Sequence, residues 1–295
     1  MFFPQRYYSA FLLVLAFLLV SWFANQEVLA EKALYDQKSA YNRIIVTEDE
    51  RGMRTLRFEK DGGRQSVVKM GDPDHLELPY ARVMLLPLAC VEAPQRVLIV
   101  GLGGGTIPMF LRRHFPETSI DVVEIDPKVV AVAKRFFGFR EDAKMQVHVE
   151  DGRRFIEKHR DRYDIIFLDA YDSGRIPYHL VTREFLDAVR DALTARGVVA
   201  GNLWSTSREP PYRSMVRTYD HVFKSVKVFD VPNRTNRILI ATARAKSIRW
   251  DKLSQRAEAI SKRHRWGFNL GVYVRGGMQD THPHRKTGRV LKDPE

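Results

Sequence analysis

A glycine-rich turn, followed about twenty positions later by an acidic residue, is the feature of this sequence with the clearest chemical meaning. The run Arg96–Thr106 reads RVLIVGLGGGT and includes Gly101, Gly103 and Gly105, while Glu124 ends a second apolar run. Glycine lets a ligand approach the backbone amides at a helix start, and a carboxylate at a strand end can accept both ribose hydroxyls. The pattern therefore predicts a nucleoside-containing ligand.

The spacing of the glycines favours one class of nucleoside. The dinucleotide fingerprint requires a third glycine three residues after the second. Counted from Gly103, that position holds Thr106. An adenosyl ligand is thus favoured over NAD, and a glycine turn without any ligand is the remaining alternative. We also expect Asp126, two residues after Glu124, and Gly152, which follows Asp151, to contribute to the ligand site.

Acidic residues follow two further predicted strands. Asp151 precedes Gly152 after the third strand, where it can accept a hydrogen bond from an adenine amine, cap the next helix, or do both. Asp169 ends the apolar run at 163–168, and Asp172 follows three residues later. Two carboxylates in one loop can hold a cationic amine and take its proton as it becomes a nucleophile. Solvation of an exposed loop is the alternative for Asp172.

The elements that position these residues alternate between strand and helix. We predict strands at 96–101, 119–124, 145–149, 163–168, 197–203, 225–230 and 236–242, and helices at 106–115, 127–137, 152–160, 180–194 and 211–221. Such alternation indicates a doubly wound, mostly parallel sheet. The link 231–235 is too short for a parallel crossover, so the last strands must pair antiparallel. This predicts an α/β fold of the class I S-adenosylmethionine methyltransferase (Rossmann-like) type.

A smaller unit precedes this sheet. Short apolar runs at 42–47, 53–58 and 65–69 alternate with turn residues and predict an antiparallel β-meander. Residues 31–40 are interpreted as a charged connector, and residues 76–89 as a helix that Pro79 interrupts early. The predicted division is a small β-sheet domain at 31–72 and a catalytic domain at 73–243.

The first thirty residues are predicted to be a targeting segment. Residues 10–23 are apolar except for Ser21, which is short for a spanning helix and suits a signal peptide or an N-terminal anchor. Arg6 before the run and Glu27 after it favour an N-terminus inside and the rest of the chain outside. We therefore expect a membrane-anchored or exported protein. A buried core helix is the less favoured alternative.

Composition limits the other options. The net charge is +12, and residues 241–295 hold thirteen Lys or Arg against five Asp or Glu. This predicts a basic C-terminal tail at 244–295, either solvated or attracted to anionic surfaces. No nucleic-acid motif accompanies the charge, so nucleic acid is a disfavoured partner. Cys90, the single cysteine, excludes internal disulfides and a cysteine-rich metal site. Whether the chain forms a homo-oligomer stays open.

These motifs together resemble the spermidine synthase, or polyamine aminopropyltransferase, family over residues 40–243. The matching parts are the glycine turn at 97–105, the EIDP sequence at 124–127, the Asp-Gly pair at 151–152 and the run YDIIFLDAYD at 163–172. Tyr41, Gln65 and Tyr80 of the N-terminal unit also fit this family, whereas most plain methyltransferases lack them.

The resemblance implies sites for two substrates. Decarboxylated S-adenosylmethionine would lie on the glycine turn, with help from Gln65, its ribose on Glu124 and its adenine near Asp151. Asp169 would deprotonate the attacking nitrogen of a polyamine, which displaces methylthioadenosine from the aminopropyl carbon. Tyr41, Tyr80 and Asn202 would contact the amine. No metal is required.

Some positions depart from the family pattern. Gly104 stands where the family usually has an aspartate for the aminopropyl ammonium, and Asn42 replaces a glutamine. Arg82 replaces an acid, and Ser173 follows Asp172 where the family commonly has proline. Fewer acids and an added cation disfavour a dicationic acceptor by charge. Two alternatives therefore remain: a methyltransferase that uses intact S-adenosylmethionine, and a catalytically silent nucleoside- or polyamine-binding protein.

Overall fold

The computed structural model contains two β-sheets with helices around the larger one. It describes residues 31–91, 93–172, 175–204, 210–232, 236–242, 248–281 and 287–294. The predicted targeting segment, residues 1–30, lies outside this part of the chain. Within the described ranges, no helix combines the length and the apolar character needed to cross a membrane.

The N-terminal unit is the predicted meander with one additional strand. Its four antiparallel strands lie in chain order, β1 (Lys32–Lys38), β2 (Arg43–Glu48), β3 (Met53–Arg57) and β4 (Arg64–Lys69). The prediction of a connector at 31–40 is wrong, since β1 pairs with β2 along most of its length. Leu34 and Tyr35 explain the difference because they pack against the apolar cluster under this sheet.

The large sheet has the predicted doubly wound arrangement. Its strands are β5 (Arg96–Val100), β6 (Ser119–Glu124), β7 (Met145–Val149), β8 (Tyr163–Leu168), β9 (Leu193–Trp204), β10 (Ser225–Asp230), β11 (Asn236–Thr242) and β12 (Met278–Asp280). Strands β5 to β9 are parallel in the order β7-β6-β5-β8-β9. Strand β11 pairs antiparallel with both β9 and β10, which confirms the predicted fold class.

Helices cover the two faces of this sheet. They are α1 (Pro79–Met84), α2 (Thr106–His114), α3 (Pro127–Phe136), α4 (Gly152–Glu157), α5 (Arg183–Ala192), α6 (Tyr212–Val222), α7 (Trp250–Arg263) and α8 (Gly271–Gly277), with 3₁₀ turns at Leu86–Ala89 and Tyr178–Leu180. The single helix predicted at 76–89 is therefore two short pieces. Pro79 and Pro87 explain this, because each lies in the first turn of its own piece.

The segment predicted as a basic tail contains regular structure. Helix α7 buries Leu253, Ala257 and Ile260 in the same hydrophobic cluster as the central strands, while most of its charged residues face outward. Strand β12 extends the large sheet by pairing with β10. An apolar stripe with i, i+4, i+7 spacing was thus present within the basic sequence.

The core explains why the parallel strands read as continuous apolar runs. In β5, Val97 and Ile99 belong to the cluster on one face of the sheet, and Leu98 and Val100 to the cluster on the other. Burial on both faces is expected for parallel strands that are covered by helices. The open edge at the carboxyl ends of these strands is where such sheets bind ligands.

Candidate active site

A cavity of about 560 Å³ opens at the carboxyl ends of the parallel strands and extends to the N-terminal sheet. Most of the residues that the sequence predicts for the site line it. These are Tyr41, Gln65, Tyr80, Gly101, Gly103, Glu124, Asp151, Gly152, Asp169, Asp172 and Asn202. Two predicted site residues, Gly105 and Asp126, do not line the cavity.

The glycine turn connects β5 to α2 and passes very close to β8. Gly101 has φ +101°, and a Cβ atom there would lie 2.4 Å from the carbonyl oxygen of Asp169. The turn and the Asp169 backbone are therefore in direct contact, which only glycine permits. Gly105 is the N-terminal cap of α2, and a Cβ atom there would lie 2.7 Å from the Phe139 ring, so this position is closed by packing and does not line the cavity.

Glu124 ends β6 with its carboxylate fixed from two sides. The backbone amide of Leu102 donates to Oε2 and that of Asp126 donates to Oε1, with a nitrogen–oxygen distance of 3.0 Å in each case. Burial raises the pKa of Glu124, although these amides favour its charged form. Asp126 itself is 1% exposed and caps α3 through a hydrogen bond from the amide of Lys128. Asp126 thus has a structural role at the start of α3, and its part in ligand binding stays a prediction.

Asp151 caps a helix and also lines the cavity, as the sequence allowed. Its Oδ1 accepts a hydrogen bond from the amide of Arg154 at the start of α4. Its Oδ2 lies 2.9 Å from Nε2 of His179, a residue of the 3₁₀ turn that lines the same wall. These hydrogen bonds outweigh the effect of burial and lower the pKa of Asp151.

Asp169 follows the last residue of β8, and it lies half-buried in the cavity wall. Asn202 donates a hydrogen bond to Oδ1 at 2.8 Å, and the Tyr80 hydroxyl, which donates to the Gln65 carbonyl at 3.2 Å, lies near the same carboxylate. Burial outweighs the effects of Asn202 and Tyr80 and raises the pKa of Asp169 to about 7. A carboxylate with this pKa can exchange a proton near neutral pH, as a general base must.

Asp172 provides a second carboxylate at the outer part of the cavity. Its side chain is 42% exposed, and Nε of Arg175 lies 3.5 Å from its Oδ1. The backbone amides of Asp172 and Arg175 each donate to the carbonyl of the other residue. Ser173, the noted departure from the family pattern, falls outside the described residues.

Asn236 is a site residue that the sequence analysis missed. Its Nδ2 donates to Oδ1 of Asn202 over 3.0 Å, which directs the amide group of Asn202 toward Asp169. The Tyr171 hydroxyl donates to the Asn202 backbone carbonyl. The position of Asn236 at the start of a strand antiparallel to β9 was the available signal, because that pairing places it at the same sheet end as Asn202.

The structure explains two of the departures from the family pattern, Gly104 and Arg82. A Cβ atom at Gly104 would lie 2.8 Å from Oγ of Ser66 and 3.0 Å from the Phe137 ring, so other side chains occupy the space of the family's aspartate. Arg82 donates to the Leu76 carbonyl and lies over the Phe268 ring, outside the cavity lining. The expected cation at the amine site is therefore not contributed by Arg82.

A mostly parallel sheet with a glycine turn, a carboxylate at the end of the next strand and a half-buried aspartate is typical of the class I transferases that bind adenosyl ligands. Comparisons with known proteins specify the family. A protein-family model described as the spermine/spermidine synthase domain matches residues 79–247. The polyamine aminopropyltransferase of Vibrio vulnificus is 36% identical over 234 residues, 77% of this chain and 77% of that protein.

Solved structures share the fold. A spermidine synthase in complex with the transition state analogue AdoDATO has a TM-score of 0.69 at 21% identity and covers 88% of this chain and 90% of its own. Human methyltransferase-like protein 13 in complex with SAH has a TM-score of 0.59 at 30% identity, over 63% of this chain and 92% of that one. The chain belongs to the spermine/spermidine synthase family.

Proposed function

We propose that the protein is a polyamine aminopropyltransferase that uses decarboxylated S-adenosylmethionine. The observation that carries the proposal is the half-buried Asp169, whose backbone contacts the glycine turn and which lines the same cavity as that turn. The family membership and the named activity of the Vibrio vulnificus relative support a transferase acting on polyamines. The ligand AdoDATO in the spermidine synthase neighbour supports the decarboxylated cosubstrate.

The cavity offers matching groups for an adenosyl cosubstrate. Glu124, held by two backbone amides, keeps lone pairs for the ribose hydroxyls. Asp151 and the neighbouring His179 line the wall where the adenine would lie. The sulfonium would then lie on the turn at Gly101 and Gly103, within reach of Asp169.

The transfer requires the acceptor to lose one proton and gain one carbon bond. The acceptor nitrogen attacks the aminopropyl carbon next to the sulfonium, and the carbon–sulfur bond breaks with its electron pair on sulfur. Methylthioadenosine leaves, and Asp169 accepts the proton from the nitrogen. The catalytic gain comes from aligning the nitrogen and carbon, and from a carboxylate already in place to receive charge.

Product analysis with the two adenosyl cosubstrates tests this proposal. The protein would be incubated with a polyamine and either decarboxylated or intact S-adenosylmethionine, and the nucleoside product identified. We expect methylthioadenosine from the decarboxylated form. S-adenosylhomocysteine from the intact form would show a methyltransferase instead, and no turnover with either would show a binding protein.

The rate should depend on the ionisation of Asp169. Because the base must be charged to accept a proton, we expect kcat/KM to fall as the pH drops below the Asp169 pKa of about 7. A rate profile from about pH 5.5 to about pH 9 checks this. A profile that is flat through neutrality would remove Asp169 as the titrating group.

The family's missing aspartate can be reintroduced as a test of the Gly104 region. G104D alone is expected to destabilise the protein, because its Cβ would overlap Ser66 and press on the Phe137 ring. Adding S66G removes the nearer obstacle, so the double variant should recover most of the lost stability. Its carboxylate should then tighten decarboxylated cosubstrate binding, measured by calorimetry. Equal melting temperatures for the single variant and wild type would contradict the overlap.

A further inference from the structure

The segment 288–294 reaches the adenosyl side of the cavity from outside, and we call it the clasp. It lies beyond residues 79–247, which the family model covers. Leu291 anchors it with a side chain that is 1% exposed. The backbone carbonyl of Leu291 accepts a hydrogen bond from the amide of Arg183 at 2.8 Å. The backbone amide of Leu291 donates to the Thr218 hydroxyl at 2.9 Å. The clasp is thus tied to α5 and α6.

Two contacts connect the clasp to the cavity wall. Arg153 on α4 forms a bidentate pair with Asp293, with nitrogen–oxygen distances of 2.7 and 2.6 Å. The same guanidinium also donates to the backbone carbonyl of His179 over 3.4 Å. The Tyr178 hydroxyl donates to the carbonyl of Lys292 over 3.1 Å. Both contacts hold the 3₁₀ turn at 178–180.

The inner side of that turn forms part of the binding surface. His179 and Leu180 line the cavity, and the His179 ring contacts the Asp151 carboxylate. Leu180 also belongs to the same buried cluster as Leu291 of the clasp. A displacement of the clasp would therefore move a wall residue and the partner of Asp151 together.

We propose that Arg153 and Asp293 are positioning residues that hold the Tyr178–Leu180 turn in the conformation that receives the adenine of the cosubstrate. This inference rests on the proposed function, because it assigns adenine to the Asp151 side. Bidentate arginine–carboxylate pairs fix geometry as well as supply energy. A wall that is already ordered before binding loses less entropy when the ligand arrives. The clasp should therefore increase adenosyl affinity without touching the ligand.

Direct binding of methylthioadenosine to the full chain tests the inference without turnover. We expect D293A to raise its Kd about five- to tenfold, an effect typical of coupled neighbours. In turnover assays, D293A should raise KM for the adenosyl cosubstrate and leave KM for the amine unchanged. D36A is the matched control, because Asp36 forms an equally close bidentate pair with Arg43 in the N-terminal sheet, outside the cavity lining.

Rescue distinguishes positioning from general damage. The charge-swapped double variant R153D/D293R should recover part of the lost affinity. If D293A does not fold, Y178F, which removes only the hydrogen bond to Lys292, should still raise Kd. Wild-type affinity in folded D293A, or equal losses in D293A and D36A, would overturn the inference alone. A wild-type protein that binds no methylthioadenosine would overturn the proposed function and this inference together.

Discussion

Replacing Asp169 with asparagine is expected to lower kcat by about 10²- to 10⁴-fold, the usual contribution of a positioned general base. The side chain keeps its shape, and its carbonyl oxygen can still accept the hydrogen bond from Asn202. Binding of methylthioadenosine, measured by calorimetry, should stay within about twofold of wild type, because the role proposed for Asp169 is on the amine and not on adenosine. The loss is therefore expected in the chemical step.

The same substitution should leave stability unharmed at alkaline pH. Burial raises the pKa of Asp169 from 3.8 to about 7, so the unfolded chain binds fewer protons than the folded one in this interval. The ionised carboxylate therefore destabilises the fold as the pH rises from about 4, and this effect is complete above about 7. At about pH 8, D169N should unfold at an equal or higher denaturant concentration than wild type. At about pH 4 the advantage should disappear.

The matched control is D164N, at the opposite end of the same strand. Asp164 accepts hydrogen bonds from the backbone amides of Gln95 and Arg96, away from the cavity. D164N should lose some stability and retain turnover, which is the reverse of the D169N result. Substantial activity in D169N would exclude Asp169 as the base and favour another route for the proton.

The cavity residues that lie at the carboxyl ends of strands could be predicted from the sequence. Glu124 ends a parallel strand, and Gly101, Asp151 and Asp169 each follow one. The carboxyl ends of parallel strands meet at one edge of the sheet whatever the details of packing. Apolar periodicity and turn residues were enough to locate these ends. These lining residues of the cavity could therefore be predicted from local patterns alone.

Other parts of the site depend on contacts between distant segments. Ser66 fills the space above Gly104 only because the N-terminal sheet packs on the glycine turn, and no local pattern indicates that contact. Arg82 was expected to bring charge to the amine, but its donation to the Leu76 carbonyl directs it elsewhere. Asn236 acts through Asn202, which requires the strand register. Such pairings are set by tertiary packing and not by propensity.

Gly101→Ala is expected to cost about 3–5 kcal/mol of unfolding free energy and most of the activity, the largest stability effect predicted for this chain. The new Cβ would lie 2.4 Å from the carbonyl oxygen and 2.8 Å from the carbonyl carbon of Asp169. These are backbone atoms of the residue that follows the neighbouring strand β8, so no side chain can rotate to make room. Relief requires β5 and β8 to separate where Asp169 is held, which moves the base from its position.

Gly103→Ala separates this overlap from the cost of backbone conformation. Gly103 also has a positive φ, +54°. A Cβ atom added there would have the Ser66 Cβ as its nearest neighbour, at an ordinary contact distance of 3.7 Å. The left-handed conformation alone costs about 1–2 kcal/mol for a residue with a Cβ. Denaturant unfolding of both variants should therefore show a larger loss for Gly101→Ala, about two- to threefold at the middle of these ranges. Equal losses would mean that the positive φ, and not the contact with Asp169, requires glycine at position 101. They would contradict the inference that this contact holds Asp169 in position.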